Sequence, residues 1–393
     1  MKSNVSIIAK ADCCGCSSCY NRCPADAVSM KPDAEGFLYP YIDESICIDC
    51  GLCLKGCPAH SKPVLNHEQI AYAAYAKDTK EHKTSSSGGI FAVLARYFLG
   101  NNGYICGAAF DDIVHLKHIV SDSESDLMRI KETKYVQSEI GTVYKTIREL
   151  LEQNHSVLFC GTPCQAAGLN AFLGKEYDNL LIIDLICHGV PSPQVFRQYL
   201  EEIGNGSTVK RMTFRDKSEG MGHVYLRYYL ENGDIVSETY GESKYIKGFL
   251  QNLTVRPSCF QCKYKGVDRS SDITIGDFWG LNDYHPEMIS EFGTSAVLVH
   301  SKKGSKFIDA VKDQLVYKEA KPEEVAFWNT CLKESVSPCQ NRSAFFDEYK
   351  SLGVHHATDK YYIEPVKTVH KPSMLSKVKR KVKTGLNKIG IKR

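Results

Sequence analysis

The sequence predicts a small, cysteine-rich α+β domain at its N-terminal end and a larger α/β core behind it. Two patterns support this division. Residues 13–58 repeat one cysteine spacing twice. Residues 156–200 hold two successive units of apolar strand, turn and helix, which is typical of buried parallel strands. The composition, 43% hydrophobic and 24% charged over 393 residues, is that of a globular chain with several domains.

The N-terminal repeat has the spacing C-x2-C-x2-C-x3-C-P, at residues 13–24 and again at residues 47–58. Bacterial ferredoxins with two 4Fe–4S clusters carry this run, and the fourth cysteine of each run binds the other cluster. The spacing therefore predicts a first cluster on Cys13, Cys16, Cys19 and Cys57, and a second on Cys47, Cys50, Cys53 and Cys23. A pair of zinc sites is the alternative, but it leaves the duplicated three-plus-one pattern unexplained. Cys14 fits no ligand position in this spacing.

Four segments are expected along the chain: a two-cluster ferredoxin-like domain at 1–66, the core at 67–150 and 151–345, and an irregular segment with a basic tail at 346–393. The N-terminus lacks the apolar stretch of a secretory signal, and no apolar run reaches the ~20 residues of a membrane span. Seventeen cysteines in such a chain indicate metal binding rather than disulfides. We expect a cytoplasmic protein.

The first part of the core contains a serine- and glycine-rich turn between a strand and a helix. An apolar strand is predicted at Ile70–Ala76, and helical periodicity runs from Ile90 to the "NNG" stop at 101–103. The intervening "SSSGG" could present its amides to an anion at the helix start. Serine is also a common N-cap and Gly-Gly a common turn, so both interpretations stay open. A strand-like "KYVQS" at 134–138 precedes a further amphipathic helix.

Four more cysteines occupy turns in the second part of the core: Cys164, Cys187, Cys259 and Cys262. The first two follow neighbouring predicted strands, and the last two have the C-x2-C spacing of metal ligands. The four could converge on one face as a shared metal site. Alternatively, two are buried free thiols and two form a small zinc knuckle. The residues alone leave this choice open.

The series of motifs in the chain is similar to that of a known family. In order, they are "SSSGGIF", "KYVQS", "FCGTPCQAAGL", "DLICHGVPSP", "CFQCKY" and "SDITIGDFWG", behind the ferredoxin run. Over about residues 1–335, this set resembles the family of coenzyme F-420 hydrogenase/dehydrogenase beta subunits. The resemblance implies an iron–sulfur flavoprotein with FAD beside a third 4Fe–4S cluster in an α/β flavin-binding core.

The resemblance also implies roles for particular residues. It places the third cluster on Cys164, Cys187, Cys259 and Cys262, with Cys160 as a competitor for one ligand position. It places flavin contacts on Ser87, Gly88, Gly89, Lys134, Tyr135, Gln137 and Ser138, and the neighbouring turn adds Gly161 and Thr162. A cation such as Lys134 near the flavin would stabilise its reduced anion. His188 is a candidate proton donor, although a histidine beside a ligand cysteine more often donates a hydrogen bond to the cluster.

Together these features predict an oxidoreductase that passes electrons between 4Fe–4S clusters and a flavin, which exchanges hydride with an organic substrate. The expected donor is a redox protein or a nicotinamide- or deazaflavin-type cofactor, and the expected acceptor is a small or lipid-linked molecule. An electron-transfer subunit that serves a partner enzyme is the alternative. A metal-binding scaffold is a third interpretation, and it would need zinc in place of iron.

The C-terminal tail is strongly basic, with nine Lys or Arg and no Asp or Glu from Lys371 to Arg393. Its apolar residues Leu375, Val378, Val382, Leu386 and Ile389 would form one stripe on a helix. Such a helix suits an anionic membrane surface, and a solvated tail is the alternative. Nucleic acid is not expected, because no stacking aromatic residue accompanies the charge.

Overall fold

The computed structural model describes residues 3–61, 63–111 and 115–364. The strands in chain order are β1 (Val28–Pro32), β2 (Leu38–Ile42), β3 (Ile70–Ala76), β4 (Tyr104–Phe110), β5 (Leu116–Ser121), β6 (Val157–Gly161), β7 (Leu180–Leu185), β8 (Val209–Asp216), β9 (Tyr225–Leu230), β10 (Ile235–Thr239), β11 (Ile273–Asp277), β12 (Ser295–Val299) and β13 (Leu315–Ala320). The basic tail predicted for 371–393 lies outside the described residues.

The α-helices in chain order are α1 (Ser18–Arg22), α2 (Leu52–Lys55), α3 (Thr79–Thr84), α4 (Ile90–Gly100), α5 (Glu124–Ile130), α6 (Val143–Glu152), α7 (Pro163–Leu173), α8 (Pro193–Gly204), α9 (Lys244–Leu250), α10 (Leu281–Tyr284), α11 (Lys302–Val311), α12 (Pro322–Trp328), α13 (Thr330–Lys333), α14 (Arg342–Leu352) and α15 (Val354–Tyr361). No helix in the described ranges is both long and apolar enough to cross a lipid bilayer.

The N-terminal part contains two short helices and a two-stranded antiparallel sheet. Strands β1 and β2 pair in the register Val28↔Ile42. Each short helix lies within one of the cysteine runs: α1 contains Cys19 and α2 contains Cys53. The residues that precede these helices, Ser17 and Gly51, both have a left-handed backbone, with φ of 60° and 72°. The sequence duplication is therefore visible in the backbone.

The core is built on a mixed eight-stranded sheet with the order β13-β3-β12-β11-β7-β6-β4-β5. Its centre, β4, β6, β7 and β11, is parallel, as the two strand–turn–helix units predict for β6 and β7. Alternate residues of β6 enter two hydrophobic clusters, one with α4 and α11 and one with α6 and α7. Both faces of the sheet are therefore covered by helices. The carboxyl ends of β6, β7 and β11 point to one edge, where ligands bind in sheets of this kind.

A second layer consists of the antiparallel sheet β10-β9-β8, with α8, α9, α14 and α15 packed against it. A hairpin at Asn232-Gly233 joins β9 to β10, and Gly233 has a φ of 92°. The sequence predicted an irregular segment from residue 346 onward. This prediction is wrong for the residues up to Tyr361, because α14 and α15 lie there. The "KYVQS" segment, expected to be strand-like, is instead irregular.

The ferredoxin-like part is fixed to the core by polar contacts and one close approach. The Arg22 guanidinium donates to two carbonyls in the last turn of α7, each at 2.8 Å. A side-chain atom placed on Gly168 of that helix would lie 2.8 Å from Cβ of Cys16. Glu35, in the β1–β2 turn, accepts two hydrogen bonds from Arg342 of α14. The first cysteine run is therefore held directly against the core.

Candidate functional site

Two cavities in the ferredoxin-like part are each lined by four of the predicted ligands. Cys13, Cys16, Cys19 and Cys57 surround the first cavity, together with Cys14. Cys23, Cys47, Cys50 and Cys53 surround the second. The structure thus brings the fourth cysteine of each run to the other run, which is the exchange that the spacing predicts. Among the described residues, no three His, Cys, Asp or Glu side chains meet closely enough to hold a single metal ion.

The surroundings of these sulfurs suit thiolates bound to a metal cluster. The amide of Ala27 donates to Cys23 Sγ at 3.2 Å, and the amides of Ala59 and His60 point at Cys57. Burial raises the pKa of the Cys57 thiol to about 11, so this group stays protonated without a cationic partner. Iron supplies such a partner, and amide N–H groups stabilise the thiolate once it forms. The donor set therefore fits 4Fe–4S clusters.

A third cavity is lined by Cys164, Cys187, Cys259 and Cys262. Cys164 lies in the first turn of α7, just beyond β6, and Cys187 follows β7. The other two cysteines stand at a short turn, where the amides of Val190 and Tyr264 point at Cys259 and Cys262. Burial raises the pKa of Cys187 to about 11 and that of Cys259 to about 12. These four thiols resemble the ferredoxin ligands in their environment and fit a further cluster.

The remaining cysteines take other positions. Cys160 lies on β6 and does not line the third cavity, so the structure removes it as a competitor for a ligand position. Cys14, which fits no ligand spacing, is buried between the first and third cavities and lines both. Its Sγ lies 4.0 Å from the Tyr264 hydroxyl. The first ferredoxin site and the third site are therefore neighbours.

A much larger cavity, of about 430 Å³, opens at the carboxyl ends of β6, β7 and β11. Its volume is in the range of cofactor and ligand pockets. Four consecutive residues, 187–190, line both this cavity and the third cysteine cavity. A group bound in the large cavity would therefore be separated from the third cysteine set by a single layer of residues.

Most of the residues predicted to contact a flavin line this large cavity. They are Ser87, Gly89, Lys134, Tyr135, Ser138, Gly161 and Thr162, and His188 lines it too. Gly88 does not line it: the Gly88 amide donates to Ser295 Oγ at 2.9 Å, and an added Cβ would lie 2.4 Å from the Ala74 carbonyl oxygen. Because Gly88 has no side chain, the turn can pack closely against the sheet at this position.

Gln137 also lies outside the large cavity lining, contrary to the expectation of a flavin contact. Its amide nitrogen donates to the Cys14 carbonyl at 3.0 Å, and its amide oxygen accepts from Arg256 at 2.9 Å. Gln137 is therefore a contact between the core and the first cysteine run. The two sides of the "KYVQS" segment face different sites, which the sequence pattern does not reveal.

The ammonium group of Lys134 is already engaged by the backbone. It donates to the carbonyls of Ile130 and Glu132, each at 3.0 Å, and to that of Arg129. Burial lowers its pKa to about 8. Lys134 thus carries its charge at the end of α5, beside the cavity, and no free cation projects from this position.

His188 has partners on both ring nitrogens. Nε2 lies 2.7 Å from Asn252 Oδ1, and Nδ1 lies 3.5 Å from Cys331 Sγ. Burial lowers its pKa, which favours the neutral ring at pH 7. This arrangement suits a residue that positions the loop between the third cysteine set and the cavity. It does not present a free proton toward the cavity.

Sequence reasoning missed an ion pair in the cavity wall. Arg215 of β8 donates to both carboxylate oxygens of Asp277, at 2.9 and 3.3 Å. Both residues line the cavity, and the charge of Asp277 helps to raise the pKa of Arg215 despite its burial. Asp277 stands at the carboxyl end of β11, where ligands bind in sheets of this kind, and this position in the sequence could have marked it as a candidate site residue.

The serine- and glycine-rich turn is held in place by buried charges. Glu81 of α3 accepts hydrogen bonds from Lys131 at 2.7 Å, from Arg96 at 2.8 Å and from the Ser85 hydroxyl. Lys217 donates to the Ser87 carbonyl at 2.5 Å. The turn is therefore anchored on both sides before it reaches the cavity.

Comparison with known proteins agrees with this geometry. Residues 154–325 match the family that comprises the C terminus of the coenzyme F420 hydrogenase/dehydrogenase beta subunit. This part of the chain belongs to that family. Residues 12–61 match the 4Fe-4S dicluster domain, which confirms the predicted two-cluster ferredoxin module. The chain is therefore an iron–sulfur protein of an oxidoreductase family, with a ferredoxin-type domain followed by a mixed α/β core.

Two relatives cover most of the chain. The F subunit of the F(420)H(2) dehydrogenase of Methanosarcina mazei is 24% identical over 328 residues, which is 79% of this chain and 85% of the relative. The coenzyme F420-dependent sulfite reductase of Methanocaldococcus jannaschii is 22% identical over 316 residues, which is 78% of this chain but 47% of the relative. A solved chain of the F420-reducing NiFe hydrogenase complex from Methanosarcina barkeri aligns with a TM-score of 0.46 and 19% identity, over 74% of this chain and 95% of that chain.

Proposed function

We propose that the chain is an iron–sulfur flavoprotein oxidoreductase that passes electrons between its three cysteine sites and a flavin held in the large cavity. The observation that carries this proposal is the shared wall, residues 187–190, between the third cysteine cavity and the large cavity. A bound flavin, FAD by resemblance, would couple one-electron transfer to hydride exchange with an organic substrate.

The order of the sites along this path follows from their contacts. The second site is outermost, since its ligand Cys50 is exposed and the neighbouring Ile48 is 67% exposed. The first site adjoins the third through Cys14, and the third adjoins the large cavity. A redox protein would therefore exchange electrons at the second site. A nicotinamide- or deazaflavin-type donor, or the organic acceptor, would bind in the large cavity.

The names of the two relatives favour a deazaflavin cofactor as one reactant in the large cavity. Two tryptophans at the cavity mouth, Trp279 and Trp328, are suited to stack on a planar ring. Trp279 is 57% exposed, so it contributes a face to the mouth rather than to the hydrophobic core. Electrons can flow along this path in either direction, so the redox protein at the second site can be the electron donor or the electron acceptor.

The decisive experiment is an anaerobic stopped-flow measurement on the purified, flavin-loaded chain. Reduced ferredoxin is mixed with it, and the absorbances of the clusters and of the flavin are followed together. We expect the clusters to be reduced first and the flavin after them. Reduced coenzyme F420 in place of ferredoxin should give the opposite order. Clusters that exchange electrons with ferredoxin while the flavin stays oxidised would contradict the proposal.

Substitution of Gly89 tests the position of the flavin. Gly89 lines the cavity with a φ of 82°, so Gly89→Val forces a branched side chain into the left-handed region at a cost of ~1–2 kcal/mol. We expect the turn to shift and most of the bound flavin to be lost, with the iron content unchanged. Gly233→Val is the matched control, because Gly233 has a φ of 92° in a hairpin turn outside the cavity lining. Equal flavin loss in both variants would contradict the assignment.

The second candidate is an electron-transfer subunit whose partner enzyme completes the reaction, and which could act at a membrane surface. The exposed Ile46 and Ile48 beside the second cysteine site favour a docking partner. Turnover of an organic acceptor by the isolated chain distinguishes the two candidates. Flavin reduction without such turnover would favour the second.

A further inference from the structure

Arg256 is a fully buried arginine that lies between the first and third cysteine sites. Its Nε donates to the Cys13 carbonyl, one terminal nitrogen donates to Gln137 Oε1 and the other to the Leu38 carbonyl, each at 2.9 Å. The latter nitrogen, Nη2, also lies 3.9 Å from Cys13 Sγ. The guanidinium is thus held rigidly against a predicted ligand of the first cluster.

Two other arginines that contact the core, Arg215 and Arg342, have carboxylate partners, whereas Arg256 has none among the described residues. Arg215 is paired with Asp277, and Arg342 with Glu35. Within the described part of the chain, no Asp or Glu oxygen lies within 4.0 Å of the Arg256 guanidinium. The Tyr39 ring, 4.2 Å away, adds only a weak attraction. A buried charge without a partner costs several kcal/mol, so a counter-charge is expected nearby.

The acceptor that remains is the sulfur of Cys13. An iron–sulfur cluster with four thiolate ligands is an anion, and it becomes more negative when it is reduced. A cation fixed beside one of its ligands stabilises the reduced form more than the oxidised form.

We propose that Arg256 is the counter-cation of the first ferredoxin cluster and raises its reduction potential. This inference rests on the proposed placement of a cluster on Cys13, Cys16, Cys19 and Cys57. Its consequence is directional: the cluster next to the core is easier to reduce than it would be otherwise. An electron that arrives from the second site is therefore held beside the third.

The test is a potentiometric titration of the anaerobic, iron-loaded chain, followed by electron paramagnetic resonance. In Arg256→Met, we expect the reduced-to-oxidised ratio of one cluster at a fixed potential to fall at least tenfold, about 59 mV for one electron. Arg227→Met is the matched control, since it removes a partly buried arginine that pairs with Asp216 in the second layer and does not contact a cysteine sulfur; its titration should match the wild type. Absence of the shift in Arg256→Met overturns the inference.

Two further variants assign the effect. Arg256→Lys keeps the charge and should titrate near the wild type. If its cluster potential shifts as in Arg256→Met, or if it loses iron, the role is structural and the inference fails. The shift should also persist in a Cys262→Ser background, where the third cluster is absent. If it disappears there, the charge acts on the third cluster and the inference is overturned.

A wild-type chain without about eight iron atoms in its ferredoxin clusters would instead refute the proposed function.

Discussion

Replacement of Cys262 by serine is expected to leave both ferredoxin clusters intact and to stop their electrons from reaching the flavin. Cys262 lines the third cavity, which separates the first ferredoxin site from the large cavity. Loss of one thiolate should remove the third cluster, so that iron falls from about twelve to about eight atoms per chain. Flavin reduction by reduced ferredoxin should then fall to background, while the clusters still reduce.

The matched control is Cys339→Ser. Cys339 is partly buried against the hydrophobic cluster of the second layer and lines none of the three cysteine cavities. It should retain about twelve iron atoms and wild-type flavin reduction. If Cys262→Ser also kept its full iron content and its flavin reduction, the third cysteine site would have no part in electron transfer.

A second large effect is expected from Glu81→Gln. Within the described ranges, Glu81 is the only residue with a carboxylate within 4.0 Å of the Lys131 ammonium, and the Lys131 side chain is 2% exposed. The neutral amide would leave this charge buried without a counter-charge, which lowers the free energy of unfolding by about 3–5 kcal/mol. Because Glu81 also holds Ser85, the turn at 85–89 should loosen and flavin affinity should fall. Chemical denaturation and flavin content measure the two effects.

The contribution of Glu81 should depend on pH. Burial tends to raise its pKa, but the hydrogen bonds and charges of Lys131, Ser85 and Arg96 outweigh burial and place the pKa below its ordinary value of 4.5. A carboxyl group with a lowered pKa stabilises the fold above its unfolded pKa, and this contribution is lost as the pH falls through the folded value. The difference between wild type and Glu81→Gln should therefore be full at pH 7 and shrink below pH 4.5.

Glu348→Gln is the control for this prediction. Glu348 forms an ion pair with Lys360 on the surface, where both side chains are at least 40% exposed. Exposed pairs contribute at most about 1 kcal/mol, so its unfolding should match the wild type. A loss in Glu81→Gln no larger than in Glu348→Gln would show that the buried network does not stabilise the turn.

The sequence predicts those parts of the site whose signals are local. The two cysteine runs, the buried strands β6 and β7 and the turn before α4 each occupy one short stretch, so spacing and periodicity reveal them. The proximity of Cys164 and Cys187 also follows, because neighbouring parallel strands end at the same edge of a sheet. The residues alone left open whether the later cysteine pair joins them, and only the family resemblance implied it.

The parts that were missed join residues far apart in the chain. Arg215 and Asp277 are separated by 62 positions, and Arg256 and Cys13 by 243. Neither pair leaves a local pattern. The helices α14 and α15 were also missed, since their buried faces are short: Phe345 and Tyr349 in one, Val354 and Ala357 in the other, with Gly353 between them. Tertiary packing against the second sheet makes these short stripes sufficient.

The central claim, that three clusters lead to one flavin, is tested most directly by counting cofactors. The chain is purified anaerobically, and iron, acid-labile sulfide and flavin are determined in one sample. We predict about twelve iron atoms, about twelve sulfides and about one flavin per chain. About eight iron atoms with zinc and no flavin would contradict the claim, and would leave a two-cluster ferredoxin module joined to a core that does not exchange electrons with it.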